Sequence, residues 1–261
     1  METYGDFASV YDTFMDDTPY GEWCDRLEDM IRKYGVSKPC RDAEDLLDSE
    51  KNLVVDLGCG TGTLTEMMYA KGYDCIGVDR SEDMLNIAMG KKEQSGSEIL
   101  YLCQDIRELE LYSTVGTVYS VCDSMNYILE EEELLTVFSL VYNYLFPGGI
   151  FLFDFNTVYK YRELIGDTTI AENREDCSFI WENFYDPEGQ LNEYDLTVFV
   201  REEGENFRKF TETHLQRGYT VEQMTKLVSQ AGMTVLEVLD ADTQGAVTQE
   251  SGRVCVVAGK R

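Results

Sequence analysis

The sequence predicts an α/β fold: an open seven-stranded sheet with helices on both faces, and an antiparallel β meander inserted late in the chain. Three observations predict it. Short apolar runs alternate with segments of helical periodicity from Asn52 to Phe155. Strand, glycine-rich turn and helix follow one another between Leu53 and Ala70, the unit that places a ligand at the carboxyl ends of the strands in an open sheet. Carboxylates then recur where strands end, at Asp56, Asp79 and Asp105.

Residues 1–20 are rich in aromatics (Tyr4, Phe7, Tyr11, Phe14, Tyr20), and a helix after them sets Trp23, Leu27, Met30 and Ile31 on one face. This N-terminal region, 1–50, reads either as a core-covering helix or as a helical lid over a ligand. Residues 40–51 are acidic and polar and read as a connector. Leu53, Val54 and Val55 form a strand buried on both faces, which Asp56 ends. Gly58, Gly60 and Gly62 give a turn free of side chains. Thr63–Ala70 is helical, with Leu64, Met67 and Met68 on one side and Gly72 as a C-cap. A second strand, Tyr73–Val78, ends at Asp79; Ser81 then caps a helix with Glu82 and Asp83 in its first turn. Strand three is Ile99–Cys103, followed by Gln104-Asp105-Ile106. Strand four, Val115–Val121, runs into Cys122-Asp123-Ser124-Met125-Asn126-Tyr127. Glu130–Glu133 open a helix whose apolar side is Leu134, Val137, Phe138, Val141 and Leu145, and Pro147-Gly148-Gly149 stops it. Strand five is Ile150–Phe155, with Asp154 and Asn156 at its end; either could line a pocket, or Asn156 could cap a helix.

Between 166 and 218 the α/β rhythm breaks. Ser178–Tyr185, Glu193–Val200 and Phe207–Gln216 are β-rich, separated by Asp186-Pro187-Glu188-Gly189 and Glu203-Gly204-Glu205-Asn206, and predict three antiparallel strands. Thr220-Val221-Glu222-Gln223 is a capping box for a helix that ends at Gly232. Val235–Leu239 and Arg253–Ala258 are the last two strands. The core is therefore expected over 51–165 and 219–261, with 166–218 as the insert.

The glycine turn separates two ligands. A dinucleotide fingerprint, G-x-G-x-x-G, seats a pyrophosphate on the helix N-terminus. Here its third glycine position holds Thr63. A carboxylate at Asp56 would repel a pyrophosphate, but it suits a ligand carrying an ammonium group. Asp79 lies about 20 residues further on, where an acidic residue accepts from both hydroxyls of a ribose, so an adenosine ligand is expected. Asp105 can accept from the adenine amine while a neighbouring backbone N–H donates to the ring.

Asp56-Leu57-Gly58-Cys59-Gly60-Thr61-Gly62 resembles the first motif of class I S-adenosylmethionine (SAM)-dependent methyltransferases. The resemblance implies a Rossmann-like, mostly parallel sheet whose last strand is antiparallel, with SAM as cofactor. Asp56 would hold the methionine ammonium, and the backbone at Gly58 and Gly60 would pack on the methionine part. Asp79 would bind the ribose, and Asp105 with Ile106 the adenine; Met84 would pack on the adenine face or in the core. Cys59, Arg80, Gln104 and Cys122 would complete that site. The leader from Tyr4 to Asp12 is similar to those of small-molecule methyltransferases, whose aromatics close over SAM and acceptor; Tyr11 and Trp23 are the residues expected there. Asp123, Tyr127 and His214 are candidates for orienting or deprotonating the acceptor. His214 shares one face of the third insert strand with Phe210, Glu212 and Gln216. It is either a proton acceptor or a solvent-facing or structurally hydrogen-bonded residue. The insert is expected to serve as an acceptor platform, as the surface of a homodimer, or both. An insertion at this point looks like that of sugar-amine N-methyltransferases, which favours an amine over a hydroxyl acceptor.

Composition narrows the partners. A net charge of −28 repels phosphate backbones and anionic membranes, so neither nucleic acid nor membrane is expected. The eight cysteines form no C-x-x-C pair, and with a single histidine a zinc site is not expected. This usage predicts a reducing, cytoplasmic setting. No apolar run approaches the roughly 20 residues of a membrane span, and Met1–Asp6 lacks the features of a secretory leader. The activity expected is methyl transfer from SAM to a small soluble acceptor. The alternatives are a SAM- or nucleotide-binding module without catalysis, and an NAD(P)-dependent oxidoreductase, against which Thr63 and Asp56 argue.

Overall fold

The computed structural model describes residues 7–40, 49–202 and 204–261. Tyr4 of the leader, 41–48 of the connector and Glu203 of the insert lie outside the described residues. The strands are β1 (Leu53–Leu57), β2 (Asp74–Asp79), β3 (Leu100–Cys103), β4 (Val115–Ser120), β5 (Leu145–Asn156), β6 (Thr169–Asn173), β7 (Cys177–Asp186), β8 (Leu191–Arg201), β9 (Phe207–Arg217), β10 (Thr234–Asp240) and β11 (Arg253–Gly259). The helices are α1 (Ala8–Phe14), α2 (Tyr20–Tyr34), α3 (Ser49–Asn52), α4 (Thr63–Ala70), α5 (Glu82–Ser95), α6 (Glu131–Tyr144) and α7 (Val221–Gln230).

Seven strands form one sheet in the order β10-β11-β5-β4-β1-β2-β3, and β6 to β9 form a second sheet. In the large sheet only β11 runs against its neighbours. The chain leaves β1 in one direction through β2 and β3, then returns to β1's other side as β4. That reversal opens a crevice at the carboxyl edge between β1 and β4, where such sheets bind ligands.

Strand periodicity explains the layers. Phe151, Phe153 and Phe155 of β5 face α6 and α7, packing with Phe138, Val141, Met224 and Leu227. Ile150 and Leu152, which alternate with them, face the opposite side, where Leu27 and Ile31 of α2 and Leu64 and Met68 of α4 are buried. So α2 is a core helix. The aromatic leader forms α1, which with Phe7 just before it packs Val10 and Phe14 against Phe179, Tyr194 and Val198 of the second sheet.

Three local expectations change. The insert has a fourth strand, β6; its side chains are mostly exposed, so it carries no alternating apolar pattern to reveal it. α6 stops at Tyr144, before Pro147-Gly148-Gly149, because Leu145 pairs with Val115 and begins β5. Its side chain still enters the α6 core, which is why helical spacing claims it. Asn156 caps no helix through its side chain: its N–H donates to Oδ1 of Asn126, and its Nδ2 donates to the Tyr161 hydroxyl.

The capping box at α7 forms as the sequence predicts, with Thr220 Oγ1 accepting from the Gln223 N–H and Gln223 Oε1 accepting from the Thr220 N–H. Thr220→Ala is expected to cost about 1 kcal/mol of stability, the usual value for such a cap, read as a lower urea midpoint at unchanged slope.

Candidate active site

The crevice is a cleft open to solvent, lined by both polar and apolar residues. The carboxyl ends of β1 to β4 contribute to it. Gly58 and Gly60 follow β1, Asp79, Arg80 and Met84 follow β2, and Gln104, Asp105, Ile106 and Arg107 follow β3. Cys122, Ser124, Tyr127 and Ile128 follow β4, and Tyr11 of α1 closes one side.

The glycine turn owes its shape to φ. Gly58 and Gly60 have φ of +76° and +54°, where a side chain is strained. A Cβ on Gly58 would also lie 2.4 Å from Ser124 Oγ, whereas one on Gly60 would meet no protein atom within 4 Å. Asp79 holds this turn. Its Oδ2 accepts from the Gly60 N–H at 2.8 Å and its Oδ1 from the Ser81 N–H at 2.9 Å. Burial raises the Asp79 pKa, and these two N–H donors oppose the rise. Asp12 of α1 reaches the same region: it accepts from Thr61 Oγ1 at 2.6 Å and pairs with Lys91 at 2.7 Å.

Other carboxylates have different surroundings. Asp105 lines the cleft, but both its oxygens accept from the Arg107 guanidinium, which holds its pKa below the usual range. Arg107 also meets Glu133 at 3.0 Å. Asp56 does not line the cleft. It is 3% exposed, and Oδ2 accepts from Thr65 Oγ1 at 2.6 Å and the Tyr119 hydroxyl at 3.0 Å. Desolvation pushes its pKa up to about 7 against those two donors. Asp123 is turned toward the insert, where its carboxylate accepts from Gln216 Nε2; burial raises its pKa.

The cleft meets the insert through Tyr127. Its hydroxyl is 2.7 Å from that of Tyr194 and 3.1 Å from Nδ1 of His214. His214 is 1% exposed and stacks on Tyr194 with ring centres 4.8 Å apart. Its Nε2 lies 3.4 Å from Oε2 of Glu212, whose Oε1 accepts from the Phe7 N–H. The alternation read from the sequence buries Glu212, His214 and Gln216 together, so the histidine does not face solvent.

Eleven of the residues singled out from the sequence therefore meet in one cleft: Tyr11, Gly58, Gly60, Asp79, Arg80, Met84, Gln104, Asp105, Ile106, Cys122 and Tyr127. Trp23 lies elsewhere, in a smaller apolar hollow with Leu27, Met30 and Leu152, because α2 belongs to the core. Cys59 sits behind the turn against Gly77. His214 and Asp123 stand behind the wall. Arg107, Ser124 and Ile128 line the cleft without having been singled out. Ser124 lies inside the loop flagged after strand four, but nothing in the sequence marks Arg107 as Asp105's partner.

Comparison with known proteins settles the family. The methyltransferase domain family matches residues 54–149. A candidate methyltransferase of Geobacillus sp. (strain WCH70) is 34% identical over 258 residues, covering 99% of this chain and 100% of that protein. The chain belongs to the class I SAM-dependent methyltransferases. The crystal structure of a SAM-dependent methyltransferase from Clostridium acetobutylicum superposes with a TM-score of 0.83 at 28% identity, covering 98% of each chain. A SAM-bound amino pentose methyltransferase from Micromonospora echinaspora shares the fold, with a TM-score of 0.72 at 17% identity over 100% of this chain and 99% of that one.

The cleft of this methyltransferase fits SAM. The backbone at Gly60 leaves room beside the turn, Met84 and Ile106 offer apolar surface, and Asp79 places a carboxylate at the lining. Asp79→Ala is expected to weaken SAM binding by about 1.5–3 kcal/mol, the scale for hydrogen bonds to a charged group, as measured by calorimetry.

Asp56 gives a pH signature. A carboxyl raised to about 7 in the folded chain, against about 3.9 unfolded, adds stability below pH 4 and loses it as pH rises to 7. Asp56→Asn lacks this dependence. Its stability relative to wild type, from denaturation midpoints without ligand, should climb by up to about 4 kcal/mol between pH 4 and 8. A difference that is flat with pH would show that Asp56 is ionised throughout.

Proposed function

We propose that this methyltransferase transfers the SAM methyl group to the nitrogen of a small soluble amine, with Tyr127 and His214 serving the acceptor. The observation that carries this reading is the Tyr127 hydroxyl, on a residue that lines the cleft and 3.1 Å from His214 Nδ1. Bound SAM supplies a methyl group already activated by the sulfonium, so the protein's task is chiefly proximity and alignment. A neutral amine that gains a methyl group becomes an ammonium and must shed a proton. Tyr127 can accept a hydrogen bond from that nitrogen and donate its own proton to His214 Nδ1. In the tautomer protonated at Nε2, His214 turns its N–H toward Glu212, 3.4 Å away. The shared fold of the amino pentose methyltransferase supports an amine among small acceptors. α1 reads as the lid, since Tyr11 lines the cleft while Asp12 grips the glycine turn. The inner face of the insert, which carries His214, reads as the acceptor platform. Eight unpaired cysteines suit a reducing, cytoplasmic setting.

The test is a panel of small amines, amino sugars included, each with a matched hydroxyl analogue, incubated with methyl-labelled SAM. Label is expected in amines, and label in hydroxyl analogues alone overturns the nitrogen reading. With the acceptor in hand, His214→Asn at saturating SAM is expected to lower kcat by about 10²–10⁴-fold, the range for general-base action, with SAM affinity kept. Unchanged kcat and KM would return His214 to a purely structural role.

A further inference from the structure

The chain leaves β4 through Cys122 and Asp123, two consecutive non-glycine residues in the left-handed region, with φ of 62° and 52°. Each such residue is strained and persists only where its surroundings hold it. The holder is Asp154. Its Oδ1 accepts from the Asp123 N–H at 2.9 Å and its Oδ2 from the Cys122 N–H at 3.3 Å. Successive N–H groups turned this way form a concave anion site, and here a side chain of β5 fills it. Asp154 is buried, so its charge needs a partner. Arg253, at the start of β11, pairs with it. The guanidinium is braced on the other side by Trp23 of α2, 4.4 Å from the ring centre. Neither Asp154 nor Arg253 lines the cleft, but the turn they hold carries Cys122, Ser124 and Tyr127, which do.

We propose that Asp154 and Arg253 are positioning residues for methyl transfer. The carboxylate holds the left-handed turn, and the guanidinium, braced on Trp23, holds the carboxylate. The cleft wall facing the cofactor thereby keeps its shape without a glycine in the turn.

The test uses the full chain with S-adenosylhomocysteine as probe, its affinity measured by calorimetry and the exchange of the Cys122 and Asp123 amides by NMR. Asp154→Asn is expected to speed exchange of those two amides by about tenfold and to weaken S-adenosylhomocysteine about three- to tenfold, while β1 and β2 amides stay protected. Adding Asp123→Gly should restore the affinity to within about twofold, because glycine holds a positive φ without a carboxylate. Arg253→Gln keeps the carboxylate but removes its counter-charge. It should move both readings in the same direction, and it carries the test if Asp154→Asn does not fold. Unchanged exchange and affinity in the folded variants, or no recovery with Asp123→Gly, would overturn the proposal.

Discussion

Five aspartates crowd the carboxyl edge of one sheet, and the site depends on how each is kept from repelling the next. Asp56 is buried between two hydroxyl donors. Asp79 is spread over two backbone N–H groups. Asp105 is neutralised by Arg107 and Asp154 by Arg253. Asp123 is turned toward the insert and Gln216. Two of the five thus have a cationic partner, and burial raises the pKa of the other three. Such an edge is poorly matched to a pyrophosphate. It is well matched to SAM, which carries a sulfonium and an ammonium. The same logic that excludes a dinucleotide at the turn extends along the whole edge.

What was legible in the sequence is what local chemistry decides. Buried parallel strands show as unbroken apolar runs, the turn shows as three glycines, and the α7 cap shows as Thr220 three residues before Gln223. What escaped depends on partners distant in the chain. Asp105 lines the cleft as its place after strand three leads one to expect, but no spacing rule shows Arg107 folding back through a short 3₁₀ turn onto both its oxygens. Trp23 reads as a cofactor aromatic until α2 is seen to pack on the sheet, with Arg253 over the ring. Asp154 reads as pocket lining, yet it spends its oxygens on the turn before it.

The insert shows the same division. Alternation alone puts Glu212, His214 and Gln216 on one face, and the structure buries that face. Tyr127, the partner of His214, is 87 residues away in sequence. No spacing rule connects the two, so this contact comes from tertiary packing. Polar groups on this buried face are costly unless paired. The Tyr127–Tyr194–His214 cluster and the Asn183–Asn192 and Gln216–Tyr161 bonds supply partners for it.

α1 ties the two halves together. Its Asp12 binds Thr61 and Lys91 at the glycine turn, its Val10 enters the core of the insert sheet, and the Phe7 N–H just before it donates to Glu212. A helix of seven residues is too short to be stable alone, so its order must come from these contacts. Weakening either end therefore loosens the helix as a whole and with it Tyr11, the one residue of α1 that lines the cleft. The Glu212 carboxylate that receives the Phe7 N–H is the same group that stands 3.4 Å from His214. The geometry behind Tyr127 and the closure of the cleft consequently depend on a single short segment, held at one end by charge and at the other by apolar packing.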